Sequence, residues 1–246
     1  MRKRASLKAL LALGLAAFVM GADKPAASSA QPDAKGFVSL FDGQTLNGWH
    51  GLSEFWSVED GAITGKETKE HPAPQTFLIC DKPVGNFELH YKYKFVTPDG
   101  NSGMQFRSKL YDEKNVSVGG YQADCDAKRG YDGTIYDEHK IAGRGITMSN
   151  RGEKTVWTAE NVRENSPLGE SKAALKDAIK QNDWNDVVLV ADGNHITYTI
   201  NGRLMTDLTD NSPHALKEGL LALQLHHGFV MTVQFKDIKL KTLEGK

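Results

Sequence analysis

Three short segments carry hydrogen-bonding side chains two residues apart: Gln105 and Arg107, Gln122 and Asp124, Gln224 and His226. In a β-strand such residues share a face, because successive side chains point to opposite sides of the sheet. Their neighbours are apolar: Met104 and Phe106; Tyr121, Ala123 and Cys125; Leu221, Leu223 and Leu225. A sheet that buries this second set displays amides, a guanidinium, a carboxylate and an imidazole together on its other side. Such groups match the donors and acceptors of a sugar-sized polyol. The expected chemistry is recognition of a small-molecule carbohydrate.

Displaying these groups requires strands, and the sequence supplies their punctuation. Asp42-Gly43, Asn47-Gly48, Asp60-Gly61, Asp99-Gly100, Asp132-Gly133, Asp192-Gly193 and Asn201-Gly202 suit tight reversals, because these residue types tolerate positive φ. Phe87, Leu89, Tyr91, Tyr93 and Phe95 alternate with Glu88, His90, Lys92 and Lys94, which predicts one long strand with a wet face. Residues 187–191 and 195–200 predict a hairpin. A last strand is expected over residues 230–240, where a parity change near Lys236 and Asp237 calls for a bulge. Helical spacing is confined to residues 171–179, with Ser171 as the cap. Residues 128–181 otherwise read as a strand-poor, Gly-rich loop region. The expected fold class is all-β, two antiparallel sheets packed as a sandwich with one short helix.

Arg2, Lys3 and Arg4 precede an apolar run from Leu10 to Met20, so residues 1–22 read as a secretory signal peptide rather than a membrane span. Residues 23–35, rich in Ala, Ser, Pro and Gln, read as a disordered leader. Residues 36–242 remain, enough for one all-β domain with a full core. A periplasmic or secreted location follows. Losing four basic residues (Arg2, Lys3, Arg4, Lys8) takes the formal charge from -1 to about -5, which gives no electrostatic case for nucleic acid. Cys80 and Cys125 can form a disulfide or remain buried thiols. The sequence has no phosphate loop, dinucleotide fingerprint or nucleophile elbow, so no cofactor is expected. Asp124, Asp126 and Asp132 lack an EF-hand-like loop, so no metal is assigned.

A wider set of motifs carries a resemblance. Phe37-Val38-Ser39-Leu40-Phe41-Asp42-Gly43 with Leu46-Asn47-Gly48-Trp49, then Trp56-Ser57-Val58-Glu59-Asp60-Gly61, resemble the opening of the 3-keto-disaccharide hydrolase family. Asn101-Ser102-Gly103-Met104-Gln105-Phe106-Arg107, Gly120-Tyr121-Gln122-Ala123-Asp124, Tyr136-Asp137-Glu138, Asp183-Trp184-Asn185-Asp186, Asn201-Gly202 and Leu223-Gln224-Leu225-His226 follow in the family's order. The resemblance implies a concanavalin A-like jelly-roll sandwich. It also implies cleavage of glycosides already oxidised at C3, and hence a separate glycoside 3-dehydrogenase acting upstream. His227 stands where many members place Gly, and Cys125 where an aliphatic residue is common.

A ketone at C3 makes the C2 proton acidic, because the carbanion left behind is delocalised onto the ketone oxygen. Loss of the C1 substituent followed by addition of water then gives net hydrolysis. This route needs a base near C2, donors at the C3 oxygen and an acid at the departing oxygen. The Glu-x-Asp-x-x-Glu run of sandwich glucanases, which work with two carboxylates, does not occur here. Asp124 is the expected base, with His226 as the alternative. Arg107 is expected to bind the ketone or enediolate oxygen, and Glu138 to assist the leaving group. Asn101, Gln105, Gln122 and Gln224 are expected to hold hydroxyls. Tyr121, Tyr136 and Trp157 are expected to offer stacking faces. Plainer readings stand beside these: an inter-strand hydrogen bond for Asp124, a surface ion pair for Arg107, a surface pair or metal ligand for His226 and His227. A non-catalytic carbohydrate-binding module, or a structural envelope domain, is the alternative to an enzyme.

Overall fold

The computed structural model describes residues 31–244; the expected signal peptide and most of the expected leader lie outside the described residues. In chain order the strands begin with β1 (Val38–Ser39), β2 (Trp49–His50), β3 (Trp56–Glu59), β4 (Ala62–Glu67), β5 (Thr76–Cys80) and β6 (Phe87–Phe95). Next come β7 (Asn101–Asp112), β8 (Ser117–Asp126), β9 (Ile135–Glu138), β10 (Thr147–Ser149), β11 (Glu153–Trp157) and β12 (Arg163–Pro167). After helix α1 (Lys172–Asp177) follow β13 (Asn185–Asp192), β14 (His195–Ile200), β15 (Arg203–Asp210), β16 (Leu220–Leu225) and β17 (Met231–Thr242).

These strands form two sheets. One has ten strands in the order β12-β11-β15-β14-β13-β6-β17-β4-β3, with β1 added alongside β17; the other has seven, in the order β10-β9-β8-β7-β16-β5-β2. Neighbours pair antiparallel, except that β11 runs parallel to β15. The expected all-β sandwich with one short helix is therefore what the chain forms. Phe87, Leu89, Tyr91, Tyr93 and Phe95 of β6 enter one continuous core with Met104, Phe106, Ala123, Leu223 and Leu225 of the smaller sheet. Each such side chain contributes roughly 1.5–3 kcal/mol on full burial. That sum selects the register, because a one-residue slip would turn a whole strand's apolar set outward.

Local signals read from the sequence appear where expected in several places. The Ser171 hydroxyl accepts from the Ala174 N–H and caps α1. The parity change in β17 is a register shift between Lys236 and Lys239, with Asp237 at φ 54. Residues 128–181 correct the loop expectation, since they contain β9 to β12. These strands are short, and β12 (Arg163-Glu164-Asn165-Ser166-Pro167) is almost wholly exposed, so no apolar alternation marks it. Cys80 and Cys125 are both free and buried. Among the described residues no helix is long and apolar enough to cross a membrane.

Candidate functional site

The outer face of the seven-stranded sheet is divided. Phe77, Ile79, Val118 and Ala222 form a small apolar cluster, and beside it lies a polar pocket of about 360 Å³. Seven expected site residues line this pocket: Asp124, Glu138 and His226, with Asn101, Gln122, Tyr136 and Gln224. Two larger hollows, of about 440 and 710 Å³, contain none of them.

Asp124 stands on β8 between β7 and β9. One carboxylate oxygen accepts from Gln122 Nε2 at 2.6 Å and the other from Thr134 Oγ1 at 3.1 Å. Tyr198, reaching across from the ten-stranded sheet, donates its hydroxyl to the Asp124 carbonyl at 3.0 Å. The side chain is only 7 % exposed. Burial raises its pKa to about 7 against the pull of both donors, with the charges of Glu138 and Asp126 adding to the rise. A carboxylate deprived of water gains proton affinity, so Asp124 is tuned for taking a proton near neutral pH.

Glu138 forms the other end of the pocket. Burial, with the Asp137 charge, pushes its carboxyl up to about 7. The β8–β9 register sets Tyr136 beside Gln122 and Glu138 beside Gly120. Four strand steps from Gly120 to Asp124 span about 13 Å, so two inward-reaching carboxyls can flank a sugar ring.

A chain of oriented amides fixes Asp124. Ser108 Oγ donates to Gln105 Oε1 at 2.6 Å, and Gln105 Nε2 to Gln122 Oε1 at 2.8 Å. Gln122 Nε2 donates both to Asp124 and, at 3.2 Å, to Gln224 Oε1. Both N–H groups of Gln122 are thereby engaged, and the geometry makes it a support for the carboxylate. Gly103 makes room for it, because a Cβ there would sit 2.7 Å from Gln122 Cγ. Gln224 differs: it is fully buried, yet its Nε2 has no partner among the described residues. A buried unpaired donor costs about 1–3 kcal/mol, and this one belongs to a residue that lines the pocket.

His226 is half-buried, and burial depresses its pKa. Its Nδ1 lies 2.8 Å from the His227 carbonyl. A carbonyl only accepts, so Nδ1 carries the hydrogen and Nε2 keeps its lone pair in the neutral ring. His227 is exposed and stacks on His226 at 4.9 Å between ring centroids. Tyr136 donates its hydroxyl to the Gly145 carbonyl at 3.1 Å.

Four expectations are corrected. Arg107 is fully buried and does not reach the pocket. Its Nε donates to the Gly85 carbonyl at 3.0 Å, Nη1 to the Gly193 and Leu216 carbonyls at 2.6 and 2.9 Å, and Nη2 to Asn86 Oδ1 at 3.0 Å. The cause is a bulge: the β7–β8 register shifts between Phe106 and Lys109, and Arg107 adopts φ 50. An extra residue in one strand reverses side-chain parity beyond it. Gly120 accepts this distortion, since a Cβ there would meet Ser108 Oγ at 2.6 Å; Gly119-Gly120 was the available signal. Gln105 is buried behind Gln122 and supports it instead of touching a ligand. Tyr121 shares the inward parity of Ala123 and Cys125 and is buried, its hydroxyl donating to Asp210 at 2.5 Å. Trp157 is buried under Arg144, whose guanidinium lies 4.1 Å from the ring centroid.

Three pocket residues were not expected from the sequence: Tyr131, Thr147 and Phe229. They sit on loops or at the start of a short strand, where no periodicity assigns a face. Asp126 and Asp132 hold the Tyr131 loop. Asp126 Oδ1 accepts from the Tyr131 N–H at 2.7 Å, while Asp132 accepts from the Asp126 N–H at 3.0 Å and from the Tyr93 hydroxyl. Among the described residues no three His, Cys, Asp or Glu side chains are grouped to hold a metal ion.

A family model described as the 3-keto-alpha-glucoside-1,2-lyase-like domain matches residues 36–241. A 3-keto-disaccharide hydrolase of Bacteroides thetaiotaomicron is 26% identical over 252 residues, covering 86% of this chain and 80% of that protein. A Parabacteroides distasonis protein provisionally described as a glycosyl hydrolase superposes with a TM-score of 0.55 at 18% identity, over 86% of this chain and 95% of its own. The carbohydrate-binding module CBM66 of Bacillus subtilis superposes with a TM-score of 0.52 at 16% identity, over 79% of this chain and 96% of its own. At such identities the likeness to the two solved structures is one of fold.

Proposed function

We propose, for a chain that belongs to the 3-keto-alpha-glucoside-1,2-lyase-like domain family, that it cleaves glycosides carrying a ketone at C3. The observation that carries this reading is the pair Asp124 and Glu138, two carboxyls raised by burial to about 7 at opposite ends of one pocket. Asp124, ionised, takes the C2 proton. The electron pair left at C2 delocalises onto the C3 oxygen, to which Gln224 Nε2 donates. As that pair returns to form the C1–C2 double bond, the C1–O bond breaks and Glu138, protonated, gives its proton to the departing oxygen. Adding water across the double bond restores a proton at C2 and places hydroxyl at C1, which completes a net hydrolysis. His226, with Nε2 free to accept, and Asn101 orient ring hydroxyls. The ketone must be supplied by a separate oxidation of the glycoside, and the protein acts outside the cytoplasm, in the periplasm or beyond.

The test is release of the aglycone from a 3-keto-glucoside, compared with the same substrate deuterated at C2. The expected result is cleavage slowed by C2 deuteration. Cleavage indifferent to C2 deuterium would refute the elimination route. Binding without release would identify a non-catalytic carbohydrate module.

A further inference from the structure

Sheet register gives the pocket two unlike ends. Asn101 pairs with Asp126, and Gly103 with Asp124, while Leu223 pairs with Met104; continuing β16 sets His226 beside Asn101. Phe229 packs its ring against His226 with centroids 5.5 Å apart, and Tyr131 is tied to Asp126. Both loop aromatics therefore sit at the Asn101–Asp126 end. Glu138 lies at the other end, beside Gly120, six residues along β8 from Asp126.

Tyr131 is 57 % exposed, although its loop is firmly held. Its carbonyl accepts from the Thr134 N–H at 3.0 Å and from Thr134 Oγ1 at 2.8 Å. Arg151 Nη1 donates to the Asp132 and Arg129 carbonyls at 2.7 and 3.3 Å. An aromatic ring kept in water on a rigid loop at a pocket mouth is a surface for an apolar ligand face. The C–H face of a pyranose is such a surface, and its burial removes apolar area from water. At the Glu138 end the lining is Thr147 and the half-buried, hydroxyl-tethered Tyr136.

We infer that Tyr131 and Phe229 grip the keto-sugar ring itself, at the pocket end remote from the leaving group, so that the protein recognises the glycone and accepts varied leaving groups. The inference rests on the proposed function, because that reading places the C1 oxygen at Glu138 and the C2–C3 edge at Asp124 and Gln224. An exposed stacking ring at the Asn101–Asp126 end then meets the glycone and never the group that departs.

The experiment measures calorimetric binding of methyl and phenyl 3-keto-glucosides to Asp124→Asn and to Asp124→Asn/Tyr131→Ala, alongside cleavage by the wild type and Tyr131→Ala. Truncating Tyr131 leaves its backbone bonds to Asp126 and Thr134 in place, so thermal melting is expected to be unchanged. The double variant is expected to bind both glycosides roughly tenfold more weakly than Asp124→Asn, and Tyr131→Trp to restore binding. A loss confined to the phenyl glycoside would overturn the inference and move the ring to the leaving-group side; no loss for either would overturn it outright. If the wild type binds but releases no aglycone, the cleavage reading fails while the binding comparison still decides the role of Tyr131.

Discussion

Asp124→Asn separates the chemistry of the carboxyl from its energetic burden. Its folded-state pKa is about 7 against an ordinary 3.8. Between those values the folded chain holds a proton that the unfolded chain has released. Stability therefore falls as pH rises from about 4 to about 7 and stays lower above that. At about 1.4 kcal/mol per pH unit, the full burden approaches about 4 kcal/mol above pH 8. Asparagine fits the same cradle: its carbonyl oxygen accepts from Gln122 Nε2, and its amide donates to Thr134 Oγ1, whose one hydrogen, shared in the wild type between Asp124 and the Tyr131 carbonyl, then goes to the Tyr131 carbonyl alone. Urea unfolding of both proteins from pH 4 to 8.5 should show little difference at the acid end. At the alkaline end the variant should be more stable by a few kcal/mol, while turnover falls roughly 10²–10⁴-fold. A stability difference that does not change with pH, or a variant weaker at every pH, would refute the claim that Asp124 is a desolvated carboxyl.

The productive form needs Asp124 ionised and Glu138 protonated, and both titrate at about 7. kcat/KM should thus pass through a narrow maximum near neutrality, belonging to the pair. Glu138→Gln should remove the alkaline limb and slow poor leaving groups far more than good ones; an unchanged profile would exclude the acid role. Gly103→Ala forces Gln122 out of its place, costing about 1–3 kcal/mol of stability, and should lower kcat by releasing Asp124 from its support; normal kcat would show that the support is dispensable. Arg107→Ala takes the donor from the Gly85, Gly193 and Leu216 carbonyls and leaves a cavity in place of a fully buried side chain, so denaturant unfolding should show a loss of at least about 3 kcal/mol. Arg107→Lys should not rescue it, since one ammonium cannot span that fork; a stable alanine variant would disprove the clamp.

The sequence made the site legible wherever strand parity ran unbroken. On β8 the apolar Tyr121, Ala123 and Cys125 point inward and Gln122 and Asp124 outward, and β16 does the same with Leu223, Leu225 and Gln224. On β7 the reading fails one residue after Phe106, because a bulge with a non-glycine residue at positive φ leaves no mark in the composition of its own strand. The partner strand does record it, in two consecutive glycines. Tyr121 shows the opposite lesson: parity already assigned it inward, and an aromatic ring's suitability for stacking does not outweigh that geometry. Tyr131 and Phe229 were invisible because loop residues acquire a face only from the tertiary contacts that hold the loop. The strands β9 to β12 escaped notice for a related reason, being short and largely polar.

The Arg107 clamp bears on how the molecule assembles. Its acceptors come from residues 85, 86, 193 and 216, so one guanidinium joins segments more than a hundred positions apart in the chain. Withdrawing that cation from water is favourable only when all four acceptors have arrived, which makes the closure non-local and entropically expensive. The clamp is therefore expected to close late in folding, and truncating it should speed unfolding more than it slows folding. Once closed, it couples the β13–β14 turn of one sheet to β7 of the other, so neither layer opens without exposing the charge that the other helped to enclose.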